Sequence, residues 1–80
     1  MPDQAFLETI VRGIILHPQL MRIDRSVDPQ GVLFRLSVDK TDMPLLIGRE
    51  GKNIAALRLM MKMHAKAGPS ISIILEEPTK

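Results

Sequence analysis

The chain has no cysteine, tryptophan or tyrosine, and its only phenyl rings are Phe6 and Phe34. Without thiols there is neither a disulfide framework nor a thiolate metal site, which fits a reducing compartment. So few rings exclude a binding mechanism built on rows of stacked aromatics. No stretch approaches the roughly 18 apolar residues of a membrane span. The first residues carry Asp3 and Glu8 and no basic leader, so they do not read as a signal peptide, and a cytoplasmic location is the expectation. The formal charge is only +2, so no polybasic tail advertises an anionic partner. No Ser/His/Asp set or carboxylate pair points to catalysis. His17 and His64 have no second His, Cys or suitably spaced acid for a metal site. Neither enzymatic activity nor a cofactor is expected.

What remains is aliphatic. Apolar residues make up 45% of the 80 positions, and six of them are methionine. That is enough for one core and suits a single domain over residues 1–80, with residues 1–2 and 78–80 frayed. Such a short chain buries only about three fifths to two thirds of its unfolded surface, so its stability margin is thin. The small net charge hides an uneven distribution. Arg49, Lys52, Arg58, Lys62 and Lys66 cluster against the single acid Glu50, and the rest of the chain is mildly acidic.

Periodicity predicts a first helix over residues 3–16. Asp3 suits its start, and Phe6, Leu7, Ile10, Val11 and Ile14 recur at helical spacing. Pro18 ends it, and His17 lies where a cation interacts favourably with a helix end. Gly13 weakens a helix interior by about 1 kcal/mol relative to Ala, and close packing is one reason to keep it. Residues 20–27 read as a short strand. "DPQG" (28–31) has turn chemistry. Residues 32–39 then alternate, with Val32, Phe34, Leu36 and Val38 on one face and Leu33, Arg35, Ser37 and Asp39 on the other. Together they predict a hairpin. Thr41 or Asp42 can cap a short second helix with Pro44 in its first turn, ending at Gly48. A third helix runs from near residue 51 to 67, "AGPS" stops it, and residues 70–77 form a last strand. The order is α-β-β-α-α-β, and the long final link allows a parallel strand pair.

The segment "LLIGREGKNI" (45–54) stands where two helices meet. A helix start directs unpaired amides at the loop, glycines remove bulk, and Arg49 and Lys52 add charge-assisted donors. Apolar residues flank it on both sides. A phosphate edge beside an aliphatic groove suits single-stranded nucleic acid. From the spacing alone, a plain helix corner whose glycines serve only the turn is the favoured reading. A phosphate-loop NTPase is excluded, because Leu46 stands where the first glycine belongs and Asn53 replaces the hydroxyl that holds magnesium.

The run Ile47, Gly48, Arg49, Glu50, Gly51 and Ile54 resembles the I-G-x-x-G-x-x-I signature of KH domains. The approach "DKTDMPLLIG" resembles the Asp-Met-x-x-x-Ile-Gly pattern of small bacterial members. Length and order together are similar to the stand-alone bacterial KH proteins of the KhpA (YlqC) family. The resemblance implies an α+β, type II KH fold: a three-stranded mixed sheet with three helices on one face. It implies single-stranded RNA as the partner, clamped by Gly48, Arg49, Glu50 and Gly51, with Lys52 adding charge. Ile47, Ile54 and Leu57 would line the base groove, whose far wall is residues 71–75 of the sheet. A role as RNA chaperone or post-transcriptional regulator with weak sequence preference follows from the same resemblance. So does pairing as a homodimer or with a larger KH-containing RNA-binding protein. Glu50 departs from the basic or small residue usual at its position, and its carboxylate opposes phosphate. The alternative from another class is a KH-like protein-interaction or dimerisation module with little RNA binding of its own.

In the third helix, Ile54, Leu57, Met60, Met61 and Ala65 form one stripe. Ala56, Met63 and Ala67 widen it to roughly 200° of arc at about 100° per residue. The methionines read either as core filler or as a partner interface. Arg58, Lys62 and Lys66 follow at spacing four on the other face, either as a solvated row or as an extension of the RNA path.

Overall fold

Along residues 31–37 every second side chain, Val32, Phe34 and Leu36, turns inward, the period of two of a strand with one buried face. The computed structural model describes residues 3–65 and 70–76. Strand β1 (Arg22–Asp28) pairs antiparallel with β2 (Gly31–Ser37), Arg25 opposite Phe34. The Asp28 carboxylate closes the hairpin by accepting from the N–H groups of Gln30 (2.8 Å) and Gly31 (3.1 Å). Strand β3 (Ser70–Glu76) lies parallel to β2 on its other side, Ile73 beside Phe34. The sheet order is therefore β1-β2-β3.

Val32, Phe34 and Leu36 of β2, with Val38 just beyond it, are buried on one face. Helices α1 (Asp3–Arg12), α2 (Met43–Ile47) and α3 (Lys52–Ala65) share that core through Leu7 and Val11, Leu46, and Ile54, Leu57 and Met61. Each fully buried aliphatic or phenyl side chain contributes about 1.5–3 kcal/mol. The opposite sheet face carries the Asp24–Arg35–Ile74 row, all three exposed. This is the expected α+β arrangement with a mixed sheet. The helix stop at residues 67–69, Lys66 and the chain ends fall outside the described residues.

Two local expectations are corrected. Regular α1 stops at Arg12, a turn before the predicted residue 16. The chain continues through turn hydrogen bonds from Ile14 N to Val11 O (2.9 Å) and from Ile15 N to Val11 O (3.1 Å), which carry Ile15 into the core. Gly13 is exposed, and a Cβ there would meet nothing nearer than the Ile10 carbonyl at 3.4 Å, so close packing does not explain it. His17 therefore does not sit at the end of α1.

The second correction concerns capping. Asp39 caps the 3₁₀ turn of residues 40–42, its carboxylate accepting from the Thr41 N–H (3.3 Å) and from the Thr41 hydroxyl. Asp42 does not cap α2. Its side chain is fully buried and turns back to the segment after α1, accepting from the N–H groups of Leu16 (3.2 Å) and His17 (2.9 Å). The His17 Nδ1 lies 3.2 Å from each Asp42 oxygen. One carboxylate thus ties the end of the first helical segment to the start of the second. His64 stacks on Phe6, ring centroids 4.4 Å apart.

Candidate nucleic-acid interface

Pro44 in the first turn of α2 and a glycine after its last residue set the length of this short helix. The Gly48 N–H donates to the Pro44 carbonyl (2.9 Å), and Gly48 then turns to φ 77°, ψ 174°. That region is essentially restricted to glycine. A Cβ at residue 48 would also fall 2.6 Å from Asn53 Cγ and 2.8 Å from Asn53 N. No other residue fits. A 3₁₀ turn over residues 49–51 follows, with Glu50 (φ 57°, ψ 25°) and Gly51 (φ 74°) both left-handed. Gly51 N donates to Gly48 O at 3.2 Å and Lys52 N donates to Arg49 O, after which α3 begins.

The geometry leaves a specific set of donors over. Among the described residues, no acceptor meets the backbone N–H of Arg49 or Glu50, and no acid pairs with Arg49, Lys52 or Lys62. All three cations are exposed. By contrast, Arg25 is engaged by Asp3, with Nε–Oδ1 and Nη2–Oδ2 distances of 3.0 and 3.1 Å. Glu50 is likewise exposed, beside the two free loop cations.

Behind the loop the residues part into two groups. Ile47 is half-buried beside it. Ile54 is 7% exposed and Leu57 0%, so they support the wall from beneath. Leu57, expected in the groove, offers no surface in this structure. Its place three residues from Ile54 and four from Met61 keeps it on the inward face of α3. Across from α3, β3 presents Ile71 and Leu75 half-buried with Ile73 buried. Arg58 bridges the two elements, its Nη2 donating to the Ile73 carbonyl at 3.3 Å. Arg58 is therefore tied to β3 rather than standing in a free row with Lys62.

The family model for the KhpA/KhpB KH domain matches residues 4–76. The chain belongs to that family. Among curated relatives, this KH domain is 31% identical over 76 residues to the "RNA-binding protein KhpA" of Chlamydia pneumoniae, covering 92% of this chain and 97% of that one. It is 33% identical over 55 residues to the protein of that name from Leifsonia xyli, covering 69% and 72% of the two chains. Over 68 residues it is 26% identical to the one from Streptococcus pneumoniae serotype 4, covering 85% and 86%. These relatives are bacterial RNA-binding proteins by name, and the family is not one of enzymes.

Two further features of this KH domain were not read from its sequence. Asn53 donates from Nδ2 to the Leu45 carbonyl at 2.8 Å, tying α3 to α2 across the loop. An amide side chain just after the second glycine was the available signal. The apolar arc of α3 also splits. Met61 is core, while Met63 is 66% exposed and Met60 partly so, and Leu59, an apolar residue on the face of Arg58 and Lys62, is 59% exposed beside them. No described helix is long and apolar enough to cross a membrane.

Proposed function

We propose that this KH domain binds single-stranded RNA through the loop of residues 48–51, without performing chemistry. The reading rests above all on one observation. Among the described residues, the backbone N–H groups of Arg49 and Glu50 meet no acceptor and the Arg49 and Lys52 side chains pair with no acid, and they stand beside the half-buried Ile47. Phosphates accept from the amides and the cations. Bases lie along Ile47, above the buried Ile54, towards Ile71 and Leu75. KH domains hold about four nucleotides in this way. Arg58 reaches β3 at the Ile73 carbonyl, between Ile71 and Leu75. Aliphatic contacts distinguish bases poorly, so sequence preference is weak and Glu50 keeps affinity low.

A cytoplasmic RNA chaperone or post-transcriptional regulator is the role that fits such binding, with residues 1–80 acting as one domain. The exposed flank of α3, Leu59, Met60 and Met63, is the surface for a homodimer or for a larger KH-containing RNA-binding protein. That same flank, with Glu50 in the loop, favours the second reading, a protein-interaction module. The deciding experiment is crosslinking in cells followed by recovery of both bound RNA and co-purifying protein, for wild type and Arg49→Asp. RNA retained by wild type and lost from the folded variant supports the RNA reading. Protein recovered with no RNA from either supports the module.

A further inference from the structure

The Leu45 carbonyl lies in the last turn of α2, where the helix would next supply the Arg49 N–H, four residues on, as its donor. Gly48 turns the chain away, and the Arg49 N–H finds no acceptor among the described residues. The carbonyl is satisfied instead by Asn53 Nδ2 at 2.8 Å. The Asn53 side chain also occupies the space where a Cβ on residue 48 would lie, its own Cβ 2.8 Å and Cγ 2.6 Å from that point.

We infer that Asn53 is the positioning residue of the loop: by satisfying Leu45 O in place of the Arg49 N–H, it keeps that N–H free for an RNA phosphate. The inference rests on the loop being the RNA site. Without the side chain, the Leu45 carbonyl lacks its donor, and a further helical turn that recruits the Arg49 N–H becomes the better-bonded arrangement. That rearrangement withdraws one of the two free loop amides and moves Arg49. Loss of one hydrogen bond to a charged phosphate corresponds to about a tenfold to hundredfold weaker complex. Folding is little affected, because Asn53 is exposed and Ala has the higher helix propensity.

The test compares wild type, Asn53→Ala, Asn53→Asp and Asn53→Gln. Affinity for a labelled oligouridylate is measured, together with hydrogen exchange of the Arg49 amide in the free proteins. Asn53→Asp keeps the shape against Gly48 but cannot donate, so it covers the case in which Asn53→Ala fails to fold. The expected result is weaker binding and slower Arg49 exchange in Asn53→Ala, slower exchange in Asn53→Asp, and partial recovery of both in Asn53→Gln, with unfolding temperatures close to wild type. If wild-type loop amides respond to RNA while the Ala and Asp variants keep wild-type Arg49 exchange, the role of Asn53 is refuted and the loop reading stands. If wild type binds RNA with its loop amides unmoved, the loop reading fails and this inference fails with it.

Discussion

Replacing Asp42 with alanine removes the tie between the segment after α1 and the start of α2. The carboxylate is fully buried and accepts two backbone N–H bonds, from Leu16 at 3.2 Å and His17 at 2.9 Å. A hydrogen bond to a charged group is worth about 1.5–3 kcal/mol. Leu16 is exposed and His17 is half-buried, so water reaches part of what is vacated. That lowers the sum for two bonds to about 2–4 kcal/mol. A domain of this length has about 4–12 kcal/mol in total. At about 4–8 °C per kcal/mol, the unfolding temperature should fall by about 8–32 °C. Asp42→Asn keeps one acceptor oxygen and the volume, so it should lose about half as much. Thermal unfolding followed by far-ultraviolet circular dichroism measures both. A fall of less than about 3 °C for Asp42→Ala would mean the two amides are solvated without it, and the role assigned to this carboxylate would be wrong.

Three other expectations follow from the same geometry. Glu50→Gly removes a side chain from a left-handed position and a carboxylate from the phosphate edge, so stability should stay within about 1 kcal/mol while RNA binding tightens by up to about fivefold; weaker binding would show that Glu50 assists. Lys52→Ala should flatten the log–log salt dependence of RNA affinity by about 0.7, the share of one phosphate on a single strand, and an unchanged slope would remove Lys52 from the site. The Asp39 carboxyl is held below the ordinary value chiefly by the Thr41 hydroxyl, with help from the Thr41 N–H and nearby His17. Its stabilisation is therefore present above the unfolded value near about pH 3.9 and is lost as pH falls through the lower folded one. Thr41→Val should be less stable than wild type near neutrality and converge with it in acid; a gap that widens on acidification would contradict this.

The features that a local pattern encodes were legible. The alternation of Val32, Phe34 and Leu36 marked the buried face of β2, with Val38 continuing it beyond the strand, and "DPQG" marked the hairpin turn. Pro44 and Gly48 bounded α2, and the paired glycines located the loop. What was not legible depends on residues far apart in the chain. Asp42 reads as a helix cap beside its neighbours, yet its partners lie 25 and 26 positions away. Arg58 reads as part of a row with Lys62 and Lys66, either solvated or extending the RNA path, yet it binds a carbonyl of β3. Met60, Met61 and Met63 are alike in composition, and only the packing of α1 and β3 against α3 separates the core residue from the exposed ones. The early end of α1 follows from the same cause, since the segment after it is drawn to Asp42.

The account depends on nucleotide phosphate meeting the backbone at residues 48–51. Its most direct test is a titration of ¹⁵N-labelled protein with a single-stranded oligoribonucleotide, followed by amide chemical shifts. Shifts should concentrate at Arg49, Glu50, Gly51 and Lys52 and extend to Ile47 and to Ile71 and Leu75 of β3. Asp24, Arg35 and Ile74 on the far side of the sheet should stay still. Binding that moves the far face and leaves residues 48–51 unchanged would contradict the account.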